Sequence, residues 1–222
     1  MFEGLKLLLS KKLGVYSEYD IINHNIKNYK VRNDDLKHFI DVCNMVLNNL
    51  NSICEFLEEK IENREIDNDD LFILKYEIER RKSSVNSDIN EIVLLENKLR
   101  ILLQKTVSLY FTKLKTGEYN DNKLKNMYFD FVNSTNTLLY NIVFKKEFNN
   151  EAFFTEMLKR LIDKDVSCTM DDIDFVLEKI NYFKNIIYRQ LSLNVSNISQ
   201  LEMSEKKQKY DALDRMYSNK RR

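Results

Sequence analysis

Not one proline interrupts these 222 residues and glycine occurs only three times, where average usage would supply roughly 11 and 16. Proline breaks helix interiors by removing an amide donor and clashing with the preceding turn, and glycine weakens them through backbone entropy. A chain stripped of both can run long uninterrupted helices, so the expected fold class is all-α. No Ser/Gly/Pro-rich linker divides the sequence, which predicts one elongated helical domain.

Hydrophobic spacing fills in that expectation. From about Asp34 to Glu62, apolar residues recur in steps of three and four through Leu36, Phe39, Ile40, Cys43, Val46, Leu47, Leu50, Ile53, Cys54, Leu57 and Ile61. Such a pattern predicts a long helix with a continuous seam and an exposed Asn44, Asn48 and Asn51 face. The Glu62 to Asp70 stretch reads as a loop. A second helical region starts near Leu71 and restarts after Lys82-Ser-Ser84, where serines would serve as caps. Its seam runs from Ile89 through Leu99 and Val107 to Leu114 and stops at Gly117, inside the turn signal Lys115-Thr-Gly-Glu-Tyr-Asn-Asp-Asn122. A third region opens at Lys123 with Leu124, Tyr128, Phe131 and Leu138 on one side, resumes through Phe153 and Leu161, and continues from Thr169 to Ile187. Residues 201–222 read as a basic polar tail. The expected architecture is an elongated three-helix antiparallel coiled coil, residues 17–200, in which one seam is left for a partner subunit.

Residues 1–16 form a separate unit in this scheme. Wound as a helix, they place Phe2, Leu5, Leu9 and Leu13 on one narrow stripe, with Lys6 and Lys12 on its flanks and Lys11 on the far side. Apolar insertion with lysines reaching up to headgroups is the chemistry of an interfacial helix. The same stripe also suits docking on the protein's own core. Formal charge is zero, from 35 basic and 35 acidic residues, so any electrostatic attraction must come from local segregation. Residues 1–16 segregate charge, with three lysines against Glu3 alone. So does the Gly117 turn, bracketed by Lys113, Lys115, Lys123 and Lys125.

Three cysteines without scaffold spacing fit a reducing compartment, and Cys43 and Cys54 fall at core positions. Glu3 and the paired lysines do not suit a secretory signal, and no apolar run is long enough to span a bilayer. The expected localisation is cytoplasmic and peripheral to the membrane.

In this order of features the chain resembles the amphiphysin/Rvs class of BAR domains. Phe2-Glu-Gly-Leu-Lys6 is similar to the aromatic-Glu-Gly-Phe-Lys opening of its yeast members. The stretch Leu102 to Lys115 is similar to their second helix, with Leu109-Tyr-Phe111 in place of the Asp-Tyr-Asp run. The stretch Asn136 to Phe153 resembles their third-helix segment, without its prolines. The resemblance implies a short, BAR-only member: a membrane-curving crescent of two three-helix protomers. Its foot would insert through Phe2, Leu5, Leu9 and Leu13. Its lysines, Lys6, Lys11, Lys12, Lys113, Lys115, Lys123 and Lys125, would meet an anionic phospholipid membrane. The partner would be a second copy or a related helical protein.

Other chemistries find little in the residues. Asp163, Asp165, Ser167, Thr169, Asp171 and Asp174 have calcium-loop spacing, but Cys168 stands where the turn needs glycine and Asp174 where a bidentate Glu is usual. An ordinary turn in which Thr169 and Asp172 form a capping box fits better. No phosphate loop, His-Glu-X-X-His, paired cysteines or nucleophile elbow occurs, and His24 and His38 stand alone. Neither enzyme activity, a cofactor, a metal nor a small-molecule substrate is expected, and zero net charge argues against nucleic acid. The expected function is sensing or generating membrane curvature, of the endocytic or vesicle-trafficking type. The alternative is a lipid-independent helical scaffold or adaptor.

Overall fold

The computed structural model describes residues 18–85, 88–144 and 152–219. The foot, with Phe2, Leu5, Lys6, Leu9, Lys11, Lys12 and Leu13, lies outside them. The described residues form six helices and no strand: α1 Glu18–Glu62, α2 Asp69–Lys82, α3 Ile89–Thr116, α4 Asn122–Phe144, α5 Ala152–Ile162 and α6 Met170–Asn219. The fold class is all-α. No helix among the described residues is long and apolar enough to cross a membrane.

The chain makes two compact units. One contains Asp41–Tyr182, with the second part of α1, helices α2 to α5 and the start of α6. Its core follows the seam expected for the first helix: Cys43, Val46, Leu47, Leu50, Ile53, Leu57 and Ile61 are all buried, and Cys54 is half-buried. On α4, Leu124, Phe131 and Leu138 recur every seven residues and are fully shielded. A hydrogen bond of 3.1 Å from Asn49 Nδ2 to Ser134 Oγ joins α1 to α4. Helix α2 packs on α3, α3 on α4, and α4 on α5. The rings of Phe111, Tyr128 and Phe131 form a cluster with centroids 6.1 to 6.3 Å apart. Tyr128 Oη donates to Ile162 O, the last carbonyl of α5, at 3.1 Å.

Local chemistry sets the boundaries. The 63–68 loop turns at Arg64, the described non-glycine residue with positive φ, and is anchored by buried Ile66. Asn68 Nδ2 donates to Thr106 Oγ1 at 2.8 Å, tying the start of α2 to α3. Acidic Asp69 and Asp70 begin α2, and Arg80, Arg81 and Lys82 end it, which complements the helix dipole. The serines after Lys82 do not start α3. Ser83 closes α2, and Asp88 caps α3 by accepting from the Asn90 amide at 2.8 Å. The N-terminal half of α3 is less covered than its spacing suggests. Ile89, Val93, Leu94 and Ile101 remain exposed, as do Ile73 and Tyr76 of α2.

The other unit consists, among the described residues, of 18–40 from α1 and 183–219 from α6. Helix α1 begins well before Asp34. Asn33, which with Asp34 and Asp35 imitates a helix start, is buried inside the helix and accepts from Asn194 Nδ2 at 2.8 Å. Gln190 Nε2 donates to Asn194 Oδ1 at 3.0 Å. Beyond Leu201, α6 continues to Asn219 through the stretch expected as a tail, since its Lys, Glu, Gln and Ala residues favour helix. Replacing one member of the buried amide group strands the others. Asn194→Leu is therefore expected to cost about 1–3 kcal/mol, and Asn33→Leu/Asn194→Leu to recover part of it. Urea unfolding followed by circular dichroism checks both, and equal losses in the two variants would refute the coupling.

Candidate functional site

The turn between α3 and α4 is built from both directions. Gly117 takes the left-handed conformation, φ 83°, and its N–H donates to Leu114 O at 3.3 Å. The Tyr119 amide reaches back to Lys113 O at 3.0 Å. Asp121 then caps α4, its Oδ1 accepting from the amides of Lys123 at 2.9 Å and Leu124 at 3.0 Å. Lys60, near the end of α1, bridges to Asp121 Oδ2 at 3.1 Å and to Glu65 at 2.6 Å. These bonds hold its ammonium well above the ordinary lysine range.

Aromatic rings seat the surrounding lysines. The ammonium of Lys123 lies 4.0 Å from the centre of the Phe56 ring, which Lys60 also approaches at 5.1 Å. Lys113 sits 4.8 Å from the Tyr110 ring, itself edge-on to Tyr119 with centroids 5.3 Å apart. Lys125 donates to Asn120 Oδ1 at 2.6 Å. Among the described residues, no carboxylate forms an ion pair with Lys113, Lys123 or Lys125. Lys123 and Lys125 are exposed and Lys113 is half-buried. The structure therefore brings three of the predicted lysines to one turn.

Lys115 is not among them. It is only 2% exposed, and its Nζ donates to Arg160 O at 2.7 Å and Val166 O at 2.5 Å. Burial lowers its pKa from the ordinary lysine value. An ammonium so enclosed does not face a headgroup. Instead it pins the end of α5 and the following loop to α3. The signal was in the spacing: Lys115 stands four residues after Phe111 and seven after Ser108, both buried, so it falls on the inner stripe of α3.

The loop that Lys115 holds is the acidic stretch with calcium spacing. Here Thr169 and Asp172 exchange bonds as a capping box: the Thr169 amide donates to Asp172 Oδ2 at 2.7 Å, and the Asp172 amide to Thr169 Oγ1 at 3.3 Å. Arg160 lies 3.6 Å from Asp172 and donates to Ser167 O at 3.2 Å. Asp172 is thus engaged in local structure. Burial, with Glu58 nearby, pushes the Cys54 thiol up to about 12, and burial raises Cys168 as well. Both are held as thiols at neutral pH, which withholds the nucleophilic form.

Two outcomes follow from these contacts. Lys115→Met keeps the stem but strands two carbonyls, and should lower stability by about 2–4 kcal/mol, read as a shifted urea midpoint; an unchanged midpoint would remove the pin. The Leu124 amide and then Lys60 hold Asp121 below the usual carboxylate range. Its folded-state pKa is depressed, so its contribution is present above the unfolded value and is lost as pH falls through the folded one. Wild type should lose stability as pH falls through and below the ordinary carboxylate range, and Asp121→Asn should flatten that acid limb. Parallel acid titrations of the two proteins check the slope.

Compared with known proteins, the chain matches no family model, no curated protein and no solved structure.

Proposed function

We propose that this chain is a non-enzymatic peripheral membrane protein of BAR type, which pairs with a second copy or a related helical protein and senses or generates curvature in anionic bilayers. One observation carries it: the stripe of Phe2, Leu5, Leu9 and Leu13, flanked by Lys6 and Lys12 with Lys11 on the far side. The lysines of the α3–α4 turn support it, now as Lys113, Lys123 and Lys125 without Lys115. Each contributes on the order of 1 kcal/mol near an anionic surface. Pairing would multiply such weak contacts, raising avidity by roughly 10²–10⁴ when both copies engage one membrane.

A lipid-independent helical scaffold is the second reading, favoured by a different observation. Ile73, Tyr76, Ile89, Val93, Leu94 and Ile101 are 47% to 75% exposed on α2 and α3. Exposed apolar side chains on two packed helices suit a protein partner, which a scaffold requires and lipid binding does not.

Co-sedimentation with anionic and neutral vesicles separates the two. The membrane function predicts binding to anionic vesicles that falls at least about tenfold in Leu5→Glu/Leu9→Glu and by a smaller factor in Lys113→Glu/Lys123→Glu. Vesicle binding that is absent, or equal for neutral lipid and for the stripe variant, would leave the scaffold standing.

A further inference from the structure

Helix α2 has two unlike faces. Leu71 and Ile78, seven residues apart, are buried where the helix packs on α3. On the other side Asp69, Ile73, Tyr76 and Arg80 follow steps of four, three and four, the spacing of one continuous stripe. All four are exposed, Ile73 to 63% and Tyr76 to 72%. Two large apolar side chains thus stand in water at the middle of a helix face, with an acid at one end and a base at the other.

This stripe is complementary to itself. When two copies lie antiparallel about a two-fold axis midway between Ile73 and Tyr76, Asp69 of one copy meets Arg80 of the other and Ile73 meets Tyr76, each contact being made twice. The alternation of three and four is the one by which paired helices seat their knobs. A parallel pair would instead set Asp69 against Asp69 and Arg80 against Arg80. Within the chain these charges are little used. Asp69 makes no ion pair among the described residues, and Arg80 reaches only Glu77, at 3.8 Å, with its own side chain 66% exposed. Such open pairs contribute little, and Glu77 is held more closely by Arg81, at 3.0 Å. Arg81 and Lys82 are also committed to Glu91 and Glu96 of α3. The outward stripe therefore carries a charge pattern that the packing of α2 on α3 does not use.

We propose that the exposed face of α2 pairs, antiparallel and two-fold, with the same face of a second copy of this chain. A helix of 14 residues is about 21 Å long, so its stripe offers less than the roughly 800 Å² per partner of a standard interface. The pair is accordingly transient in solution and strengthened wherever two copies are held on one surface. It needs neither the N-terminal stripe nor the turn lysines. In the membrane function proposed above, it supplies the second copy that raises avidity.

Sedimentation of the full chain over about 1 μM to 1 mM tests it. The weight-average mass is expected to rise from 26.7 kDa towards twice that value. Ile73→Ser/Tyr76→Ser, Asp69→Arg and Arg80→Asp should each weaken association at least about tenfold while helical circular dichroism persists. Mixing Asp69→Arg chains with Arg80→Asp chains sets every introduced charge opposite an unlike one, so association should return in the mixture. Should either charge variant lose helicity, Ile73→Ser/Tyr76→Ser decides. A wild type that stays monomeric throughout, association that none of the variants weakens, or a mixture of folded variants that stays dissociated overturns the pairing. Pairing without binding to anionic vesicles keeps the α2 interface and discards the membrane function. Vesicle binding by a chain that is monomeric at every concentration does the reverse.

Discussion

A helix of 45 residues keeps its form in water chiefly by hiding one face, and the buried face of α1 is the constraint on which the larger unit rests. Leu50, Ile53 and Leu57 are wholly shielded, and full burial of each stabilises by about 1.5–3 kcal/mol. The partner stripe on α4 has a matching period, with Leu124, Phe131 and Leu138 at intervals of seven. Once those stripes are placed, Phe131 carries the packing onward to Phe111 of α3, and Tyr128 fixes the end of α5 through its hydroxyl. Polar contacts then set register rather than supply the bulk of the stability. Asn49 to Ser134 and Asn68 to Thr106 are of this kind.

That stripe was fully legible in the sequence, because steps of three and four over more than three heptads have no other economical explanation. The helix start was not. Asn33-Asp34-Asp35 has the composition of an N-cap, yet Asn33 is bonded across to a residue 161 positions away, and no local pattern announces a long-range partner. Serines 83 and 84 misled in the same way, since Asp88, closer to the first apolar residue of α3, does the capping. Lys115 was misplaced for a different reason. A lysine beside a turn is usually solvated, and that expectation outweighed its position on the Phe111 stripe. The Thr169 and Asp172 capping box was readable because both its partners lie within four residues.

Electrostatics at the α3–α4 turn is a matter of which charges remain after the fold has used some. Lys60 is committed to Asp121 and Glu65, and Lys115 to two carbonyls. What is left is three ammonium groups, two of them seated over rings that steady the stem while the charged head stays near water. Three such charges contribute on the order of 3 kcal/mol at an anionic surface, corresponding to millimolar rather than micromolar affinity. The turn alone is therefore too weak to anchor the protein. In the proposed membrane function an apolar foot, a second copy, or both would supply the remainder, so that proposal leans on residues 1–16 more than on any described lysine.

Asparagine plays two opposed parts in the smaller unit, and the difference is one of satisfaction rather than composition. Asn33 and Asn194 are shut away from water, where an unpaired amide costs about 1–3 kcal/mol, and with Gln190 they close their hydrogen bonds internally. A few turns along the same two helices, Asn25, Asn28, Asn197 and Gln200 leave theirs open toward a cleft. The seam itself is continued there by buried Ile26, and Asn28 and Gln200 are exposed beside it. The first set of amides is explained by the pairing of α1 with α6. The second lies at exposed or half-buried positions beside that pairing, where water satisfies the amides.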